Sequence, residues 1–290
     1  MKIMYVYLSL LSILLLAACS SDSEEQVQTS NNEEMRIISL IPSNTEIIAG
    51  LGEVESLSGI TTVDDYPEDL SEELTRLDTF ALDEEAMMAA DPTHIVSHES
   101  NHDANKDIID RVASNTGADV LIVDDAQKID EIYGTITDIG AFIGTEEEAD
   151  QLNAELRKET KAIQDQYSSQ SLDDKVLILI STTPDIYTAG RDTFIDDFLN
   201  TLNIGNVFED VEGYPAVTSE DVIARGPETV ISTLGIDNEE LTNALNNISG
   251  LEGAPVTSEE NQCTPDPNLI SRPGPRFTEG LTAIAECVYE

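Results

Sequence analysis

The sequence predicts an α/β protein of two lobes, each built on a central, mainly parallel sheet, with one long helix between them. Strands and helices alternate along the chain, and a long stretch without glycine or proline separates its halves. In addition, residues 85–97 (EAMMAADPTHIVS) recur as residues 220–232 (EDVIARGPETVIS), 135 positions later. In both copies a glutamate starts a short helix, a proline ends it, and an apolar strand follows. This duplication indicates two similar lobes.

The first lobe is predicted to span residues 35–144. Residues 36–41 form an apolar strand, residues 42–46 (PSNTE) a turn that starts a helix, and residues 47–51 the helix itself. The next elements are predicted in this order: strand 57–61, helix 82–90, strand 94–98, helix 104–116 and strand 120–123. A final helix carries an apolar stripe at three-to-four spacing, formed by Ile129, Ile132, Ile136, Ile139 and Ile143. This alternation is typical of a mainly parallel sheet covered on both faces.

Residues 145–170 are predicted to form the bridging helix. Residues 145–148 (TEEE) have the pattern of a capping box. An apolar stripe then continues over some 23 residues, at Ala149, Leu152, Leu156, Ile163 and Tyr167. At 1.5 Å per residue such a helix would be about 35 Å long, which is enough to cross from one lobe to the other.

The second lobe is predicted to span residues 171–290. It begins with a buried strand at 175–181 (KVLILIS), and Gly205 is placed in the C-cap region of the helix that follows. The remaining predictions are helix 194–202, a helical turn or two at 221–225, strand 229–233, and helices 241–246 and 276–288. Two lobes joined by one rigid helix leave a cleft between them, and clefts between domains are preferred ligand sites.

The N-terminus is typical of an exported protein. Residues 1–18 carry one early charge, Lys2, and then a short apolar run, which is the pattern of a signal peptide. Residues 16–19 (LAAC) resemble a lipobox, so Cys19 is the predicted lipidation site; an ordinary secretory leader or an uncleaved anchor is the alternative. Residues 19–34 then form a polar, flexible tether. The folded part is therefore expected outside the cytoplasmic membrane and attached to it through the lipid.

The charge balance excludes some partners. Fifty-eight acidic residues face 14 basic ones, for a net charge of -44. Such a field repels nucleic acid and anionic lipid headgroups. Because the acids are spread along the whole chain, a surface adapted to high salt is favoured over a specific cation-binding function.

Two cysteines besides Cys19 lie near the C-terminus. In an oxidising compartment, Cys263 and Cys287 are expected to form a disulfide, worth roughly 3 kcal/mol in the chain-entropy model. A zinc site there would need more ligands, and the C-terminal half contains no histidine.

No motif argues for catalysis. The chain lacks G-x-S-x-G, the P-loop and H-E-x-x-H patterns. Its three histidines, His94, His98 and His102, are spaced four residues apart across a predicted strand end and the loop after it. We expect His94 beside the sheet and the other two as polar residues lining the cleft at its carboxyl edge. A metal-dependent hydrolase that uses all three is the alternative.

Several motifs together resemble one family. Residues 36–46 (RIISLIPSNTE), 65–67 (DYP), the two glutamate–proline repeats and residues 272–276 (RPGPR) have the order and spacing of the ABC-transporter substrate-binding proteins that carry cobalamin, ferric siderophores or haem. The resemblance runs from about Arg36 to the C-terminus. It implies two Rossmann-like lobes bridged by one long helix, with modest closure on binding.

The resemblance also implies site residues. Family members dock on a permease dimer through one glutamate per lobe, and the matching positions are Glu85 and Glu220. Cobalamin binders of the family place aromatic side chains against the corrin ring. The matching ligand-binding positions are Phe80, His98, Tyr187 and Tyr214, with Arg272 as a polar contact. The chain departs from those binders in having no tryptophan.

The expected function is therefore that of a lipid-anchored, monomeric substrate-binding protein that delivers a corrinoid to an ABC importer. No catalysis, resident metal or cofactor is expected, only the bound cargo. A ferric siderophore or haem is the alternative cargo, although Arg272 and Arg191 are the few basic candidates for binding an anionic chelate. A sensor or adhesion ectodomain without an importer is the alternative from another class.

Overall fold

The structure is a computed structural model that describes residues 34–170 and 175–290. The predicted signal peptide, Cys19 and the tether up to residue 33 lie outside the described residues. No helix within those two ranges is long and apolar enough to cross a membrane.

The first lobe is built on a five-stranded, fully parallel sheet. Its strands are β1 (Ile37–Ser39), β2 (Leu57–Thr61), β3 (Thr75–Leu77), β4 (His94–His98) and β5 (Asp119–Val123), in the spatial order β3-β2-β1-β4-β5. Its helices are α1 (Pro42–Gly50), α2 (Glu84–Ala89), α3 (Glu99–Thr116) and α4 (Ile129–Ile143). β1 is central and entirely buried, which explains its apolar sequence.

The predicted bridging helix is confirmed as α5 (Glu146–Tyr167). Its 22 residues correspond to a length of about 33 Å. The expected capping box is wrong, because the side chain of the N-cap residue Thr145 accepts no amide hydrogen and its Oγ1 is buried without a partner. On one side α5 contacts α4, where Tyr133 Oη lies 3.2 Å from Thr160 Oγ1.

The second lobe has a mixed sheet of five strands. They are β6 (Leu177–Ser181), β7 (Ile186–Thr188), β8 (Ala216–Val217), β9 (Val230–Ser232) and β10 (Gln262–Cys263), in the order β10-β9-β6-β7-β8. β7 runs antiparallel to both of its neighbours, so β6, β8, β9 and β10 share one direction. The helices are α6 (Phe194–Leu202), α7 (Ser219–Arg225), α8 (Asn238–Asn246), α9 (Pro267–Ser271) and α10 (Phe277–Tyr289).

The two lobes share a hydrophobic core. One cluster of buried side chains includes Ile37 of β1, Ile136 of α4, Leu156 of α5, Phe198 of α6 and Ile284 of α10. Two hydrogen bonds reinforce this connection: the Ile129 N–H donates to Asp197 Oδ2 (2.9 Å), and Thr278 Oγ1 donates to Glu159 Oε2 (2.9 Å). The lobes are therefore held by packed side chains as well as by the bridging helix.

The C-terminal helix is also fixed covalently. Cys263 at the end of β10 and Cys287 in α10, the two cysteines expected to pair, form a disulfide with their Cα atoms 5.8 Å apart. The bond ties α10 to the edge strand of the second sheet.

Some details of the predicted elements are wrong. Residues 42–46, predicted as a turn, form the first half of α1. α3 begins at Glu99 instead of residue 104, because β4 leads straight into it with His98 as N-cap. The residue that ends α6 is Asn203, in the left-handed conformation (φ 59°), and not Gly205. Gly205 instead lies close to Lys175, since an added Cβ would meet Lys175 Cγ at 2.7 Å.

Candidate functional site

Parallel strands bring their carboxyl ends to one edge of a sheet, and the loops of the first lobe meet there. Three large side chains on these loops are exposed: Val63 and Tyr66 after β2, and Phe80 after β3. A tight turn holds Phe80, whose N–H donates to Asp78 Oδ1 (2.9 Å), while its ring is fully exposed. The edge therefore presents an aromatic ring that no part of the described chain covers.

The second lobe contributes two tyrosines on neighbouring chain segments. Tyr187 of β7 pairs with Ala216 of β8, and Tyr214 lies two residues before Ala216. Both rings are partly exposed. The pKa of Tyr214 is raised, first by partial burial of its hydroxyl and then by the charge of Asp125, which follows β5 of the first lobe. The charge of Asp125 in the first lobe therefore acts on the Tyr214 hydroxyl of the second lobe.

The expectation for His98 is wrong with respect to exposure. It lies at the carboxyl end of β4, as predicted, but it is only 2% exposed. Its Nδ1 lies 2.8 Å from Ser100 Oγ, and its Nε2 lies 3.8 Å from Asp125 Oδ1. Burial lowers its pKa, and nearby Asp125 partly opposes that shift. His98 therefore caps α3 and lies beside the 124–125 loop, and it presents no ring face to a ligand.

The other two histidines, His94 and His102, each contact different neighbouring side chains. His94 Nδ1 lies 2.9 Å from Thr93 Oγ1, its ring meets Phe142 edge-on at 5.1 Å, and burial lowers its pKa. It packs beside the sheet, as expected. His102 is buried in the first turn of α3, with Nδ1 3.2 Å from Ser97 Oγ, so it does not line the cleft. Within residues 34–170 and 175–290, no three His, Cys, Asp or Glu side chains are grouped to hold a metal ion.

Arg272 has a different role from the predicted ligand contact. Its Nη1 donates to Asp65 Oδ1 (2.6 Å) and to Glu46 Oε1 (3.2 Å), and its Nη2 donates to Val63 O (3.3 Å). Its side chain is mostly buried. The guanidinium thus joins the loop before α10 to helix α1 and to the loop after β2 in the first lobe.

Arg276 completes this arrangement. It makes a bidentate pair with Glu46, through Nε to Oε2 (3.0 Å) and Nη2 to Oε1 (2.6 Å), and its guanidinium lies 3.9 Å from the centre of the Tyr66 ring. The bond to Glu46 raises the pKa of Arg276. We call Glu46, Asp65, Arg272 and Arg276 the Glu46 clamp.

The Glu46 clamp brings together three motifs that are far apart in the sequence: PSNTE, DYP and RPGPR. Sequence reasoning did not identify Glu46 and Arg276 as partners, although both lie inside those motifs. The one signal in the sequence is that a glutamate ends one of these motifs and two arginines belong to another, so the motifs carry opposite charges; the burial of Glu46 becomes apparent only in the structure. The motifs that suggested a ligand contact therefore form a contact between the lobes.

Arg191, the other arginine predicted as a candidate for binding an anionic ligand, also forms ion pairs. Arg191 binds Asp192 Oδ2 (2.7 Å) and Glu212 Oε2 (3.0 Å). Neither Arg191 nor Arg272 presents an unpaired guanidinium.

Glu85 and Glu220 occupy equivalent positions in different lobes. Each is the second residue of a capped helix: Asp83 caps α2, accepting from the Glu85 N–H (2.9 Å), and Thr218 caps α7, accepting from the Asp221 N–H (3.1 Å). α2 follows β3 and α7 follows β8, so both helices begin beyond the carboxyl end of a strand. Both glutamates are exposed, and within the described part of the chain neither forms an ion pair.

Comparison with known proteins agrees with this architecture. The model of the periplasmic binding protein family matches residues 37–247. An uncharacterized ABC transporter substrate-binding lipoprotein, YvrC of Bacillus subtilis (strain 168), is 33% identical over 270 residues, covering 92% of this chain and 84% of that protein. The vitamin B12-binding protein of Salmonella typhimurium is 27% identical over 200 residues, covering 68% and 71%.

A solved structure is similar along nearly its whole length. A possible iron-binding (periplasmic solute-binding) protein from Staphylococcus epidermidis superposes with a TM-score of 0.80 at 36% identity, covering 88% of this chain and 98% of that one. With the family match over residues 37–247 and two lobes bridged by α5, the chain belongs to the periplasmic binding protein family, as a substrate-binding protein of the ABC-importer type.

Proposed function

We propose that the cargo of this substrate-binding protein is a corrinoid of the cobalamin type, which it delivers to the permease dimer of an ABC importer. The observation that carries the proposal is the set of exposed aromatic rings on the two lobes. Phe80 lies on the first lobe, and Tyr187 and Tyr214 lie on the second. Aromatic faces suit a large, flat, mostly uncharged macrocycle, because they bury much apolar area at a small cost in side-chain entropy.

The charges near these rings support a corrinoid over the alternative cargoes. Ferric siderophores are commonly anionic, and haem carries two propionates. The two arginines that the sequence suggested for such groups, Arg191 and Arg272, are already bound to carboxylates. Freeing Arg272 would leave the buried Glu46 with one cation fewer, which is costly, whereas the exposed pairs of Arg191 are worth at most about 1 kcal/mol each. Similarity to a vitamin B12-binding protein points the same way, whereas the possible iron-binding relative keeps an iron chelate as the second candidate.

We further propose the means of attachment and docking. Cys19 carries a lipid, as the name of the lipoprotein YvrC suggests by analogy. Glu85 and Glu220 each meet arginines of one permease subunit, since an arginine–carboxylate pair is directional and two such pairs fix orientation. The protein acts as a monomer, binds no cofactor apart from its cargo and performs no reaction.

Equilibrium dialysis tests the cargo. The purified protein in high salt is dialysed against cyanocobalamin, dicyanocobinamide, haemin and a ferric siderophore, and retention is read by visible absorbance. We expect retention of the corrinoids. Retention of haemin or the iron chelate alone would overturn the corrinoid proposal while leaving the family unaffected.

A second experiment separates an importer component from a sensor or adhesion ectodomain. Glu85→Gln and Glu220→Gln remove one charge each while keeping the shape of the side chain. In a reconstituted importer, each change should weaken the stimulation of ATPase activity, and the double variant should abolish it. Stimulation equal to that of the unmodified protein would contradict docking through these glutamates.

A further inference from the structure

One exposed apolar side chain is not explained by the cargo site. Ile223 of α7 is 48% exposed. The other large apolar side chains of comparable exposure in the described chain lie on the loops after β2 and β3, on or near β7 and β8, or on the edge strand β5. Ile223 lies instead on the helix that carries Glu220, three residues further on. Residues three apart are neighbours on a helix surface, so the two side chains share one face.

The duplication repeats this arrangement in the first lobe. Counted from the N-cap, position two is a glutamate, position four a buried apolar residue and position five a more exposed apolar residue in both helices. In α7 these are Glu220, Val222 and Ile223. In α2 they are Glu85, Met87 and Met88. In α2 the fold explains both apolar residues, since Met88 also packs against the first-lobe core. In α7 Val222 is the buried residue, so the fold leaves the exposed half of Ile223 unexplained.

α7 is firmly held. Arg225 at its end binds both oxygens of Asp210 and lies 4.2 Å from the centre of the Phe208 ring. Ile223 rests against the turn at Gly250, where an added Cβ would lie 3.4 Å from Ile223 Cδ1. The exposed half of Ile223 is thus presented by a fixed helix, and little entropy is lost when a partner covers it.

We infer that Ile223 and Glu220 form one docking surface for the permease, in which the glutamate pairs with an arginine and Ile223 enters an apolar recess about one helical turn away. This rests on the proposed function. A net charge of -44 disfavours a second copy of this chain and an anionic lipid surface, and the unpaired Glu220 selects a cationic protein face. Docking is asymmetric, because Met88 is more covered than Ile223 and Arg111 binds Glu84 beside Glu85.

The test measures binding of the full-length protein to the permease–ATPase complex of the same organism in lipid nanodiscs, at low and at high NaCl concentration. Ile223→Ser should raise the dissociation constant about tenfold. The matched control is Ile122→Ser, at an equally exposed isoleucine (45%) on the edge strand β5, and it should change the constant less than about twofold. Ile223→Leu should restore binding, and corrinoid retention and thermal unfolding should not change.

Salt distinguishes the two halves of the docking surface. The loss caused by Glu220→Gln should shrink at high salt, because ions screen the charge pair, whereas the loss caused by Ile223→Ser should persist. Equal binding by Ile223→Ser and the unmodified protein, or an equal loss from Ile122→Ser, would overturn the inference alone. Absence of docking by the unmodified protein would overturn both the inference and the importer role. Docking without corrinoid retention would refute only the proposed cargo.

Discussion

At the scale of single residues, Glu46 shows how a buried charge is accommodated. Its side chain is 2% exposed and accepts three hydrogen bonds from Arg272 and Arg276. Breaking a buried pair leaves its partner uncompensated, which costs more than the intact pair gains. Gly274 lies against the same carboxylate, since an added Cβ would be 3.3 Å from Glu46 Oε2. The RPGPR motif therefore needs both its arginines and its glycine at this contact.

Glu46→Gln should lower the free energy of unfolding by about 3 kcal/mol, because two mostly buried guanidinium groups lose their shared counter-charge. The measurement is unfolding in urea, which is uncharged, followed by circular dichroism. Glu155→Gln is the control, since Glu155 is exposed on α5 in the same crevice and should change the value by less than about 0.5 kcal/mol. Equal effects of the two changes would mean that the Glu46 clamp contributes little.

Phe80→Ala should weaken corrinoid binding about tenfold or more, because the ring is exposed and available to stack on the cargo. Stability should be unchanged, since the ring buries nothing in the free protein. Ile122→Ala removes a comparable exposed side chain from β5 and should leave binding unaffected. Unchanged affinity in the Phe80 variant would remove this residue from the cargo site.

The predicted ligand-binding roles of His98 and Arg272 differ from what the structure shows, for a physical reason. His98 and Arg272 were assigned by position in a motif, and a position in a sequence does not report burial. His98 is covered because α3 starts directly after β4, and Arg272 is taken up by carboxylates that lie more than 200 residues away in the chain. Contacts between such distant residues cannot be predicted from local pattern.

At the scale of elements, the spacing of apolar residues and the residues typical of helix and strand ends predicted most of the fold. β4 and α6 have the predicted bounds, and α4 and α5 follow their apolar stripes closely. Four short strands were missed: β3, β7, β8 and β10. Each has two or three residues, too few to show alternation, and they exist because longer neighbours offer hydrogen-bond partners.

Two glycines of α4 provide a test of how this helix packs. An added Cβ at Gly140 would lie 2.6 Å from Ala149 Cβ and 3.2 Å from Thr145 O, whereas one at Gly134 would meet nothing within 4 Å. Gly140→Ala should therefore destabilise the protein by about 1–3 kcal/mol. Gly134→Ala should stabilise it by roughly 0.5–1 kcal/mol, because alanine restricts the unfolded chain. Thermal unfolding measures both, and effects of the same sign would contradict the close approach of α4 to α5.

At the scale of the whole molecule, the duplication predicted two lobes and, together with the other motifs, the family, but it did not predict how closely the lobes are joined. A core shared by α4, α5, α6 and α10, together with the Glu46 clamp, connects the lobes. Such packing arises from residues distant in the chain, for which the sequence carries no local signal. We therefore propose that closure around cargo is small, as the resemblance to the family also implies.

The net charge of the whole molecule leads to a prediction about how its stability depends on salt. With 58 acidic and 14 basic residues, most carboxylates have no basic partner and repel one another in the folded state. Raising NaCl from about 0.1 M to about 2 M shortens the Debye length from about 10 Å to a few ångströms, so this repulsion is screened. The exposed ion pairs that salt also weakens are each worth at most about 1 kcal/mol. The melting temperature at neutral pH should therefore rise by at least about 5 °C, roughly 2 kcal/mol for a chain of this size.

The control for the salt experiment is the same measurement of the melting temperature in mild acid. Burial raises the pKa of Asp64, Asp196 and Asp197 in the folded protein, so the folded state binds protons more readily at these groups than the unfolded state does. Their contribution to stability increases as pH falls from neutral through their raised folded pKa values, and it levels off below the unfolded value. Protonation also removes charge, so the gain from salt should be smaller in mild acid than at neutral pH. A melting temperature that stays constant or falls with NaCl at neutral pH would show that carboxylate repulsion does not govern the stability of this protein.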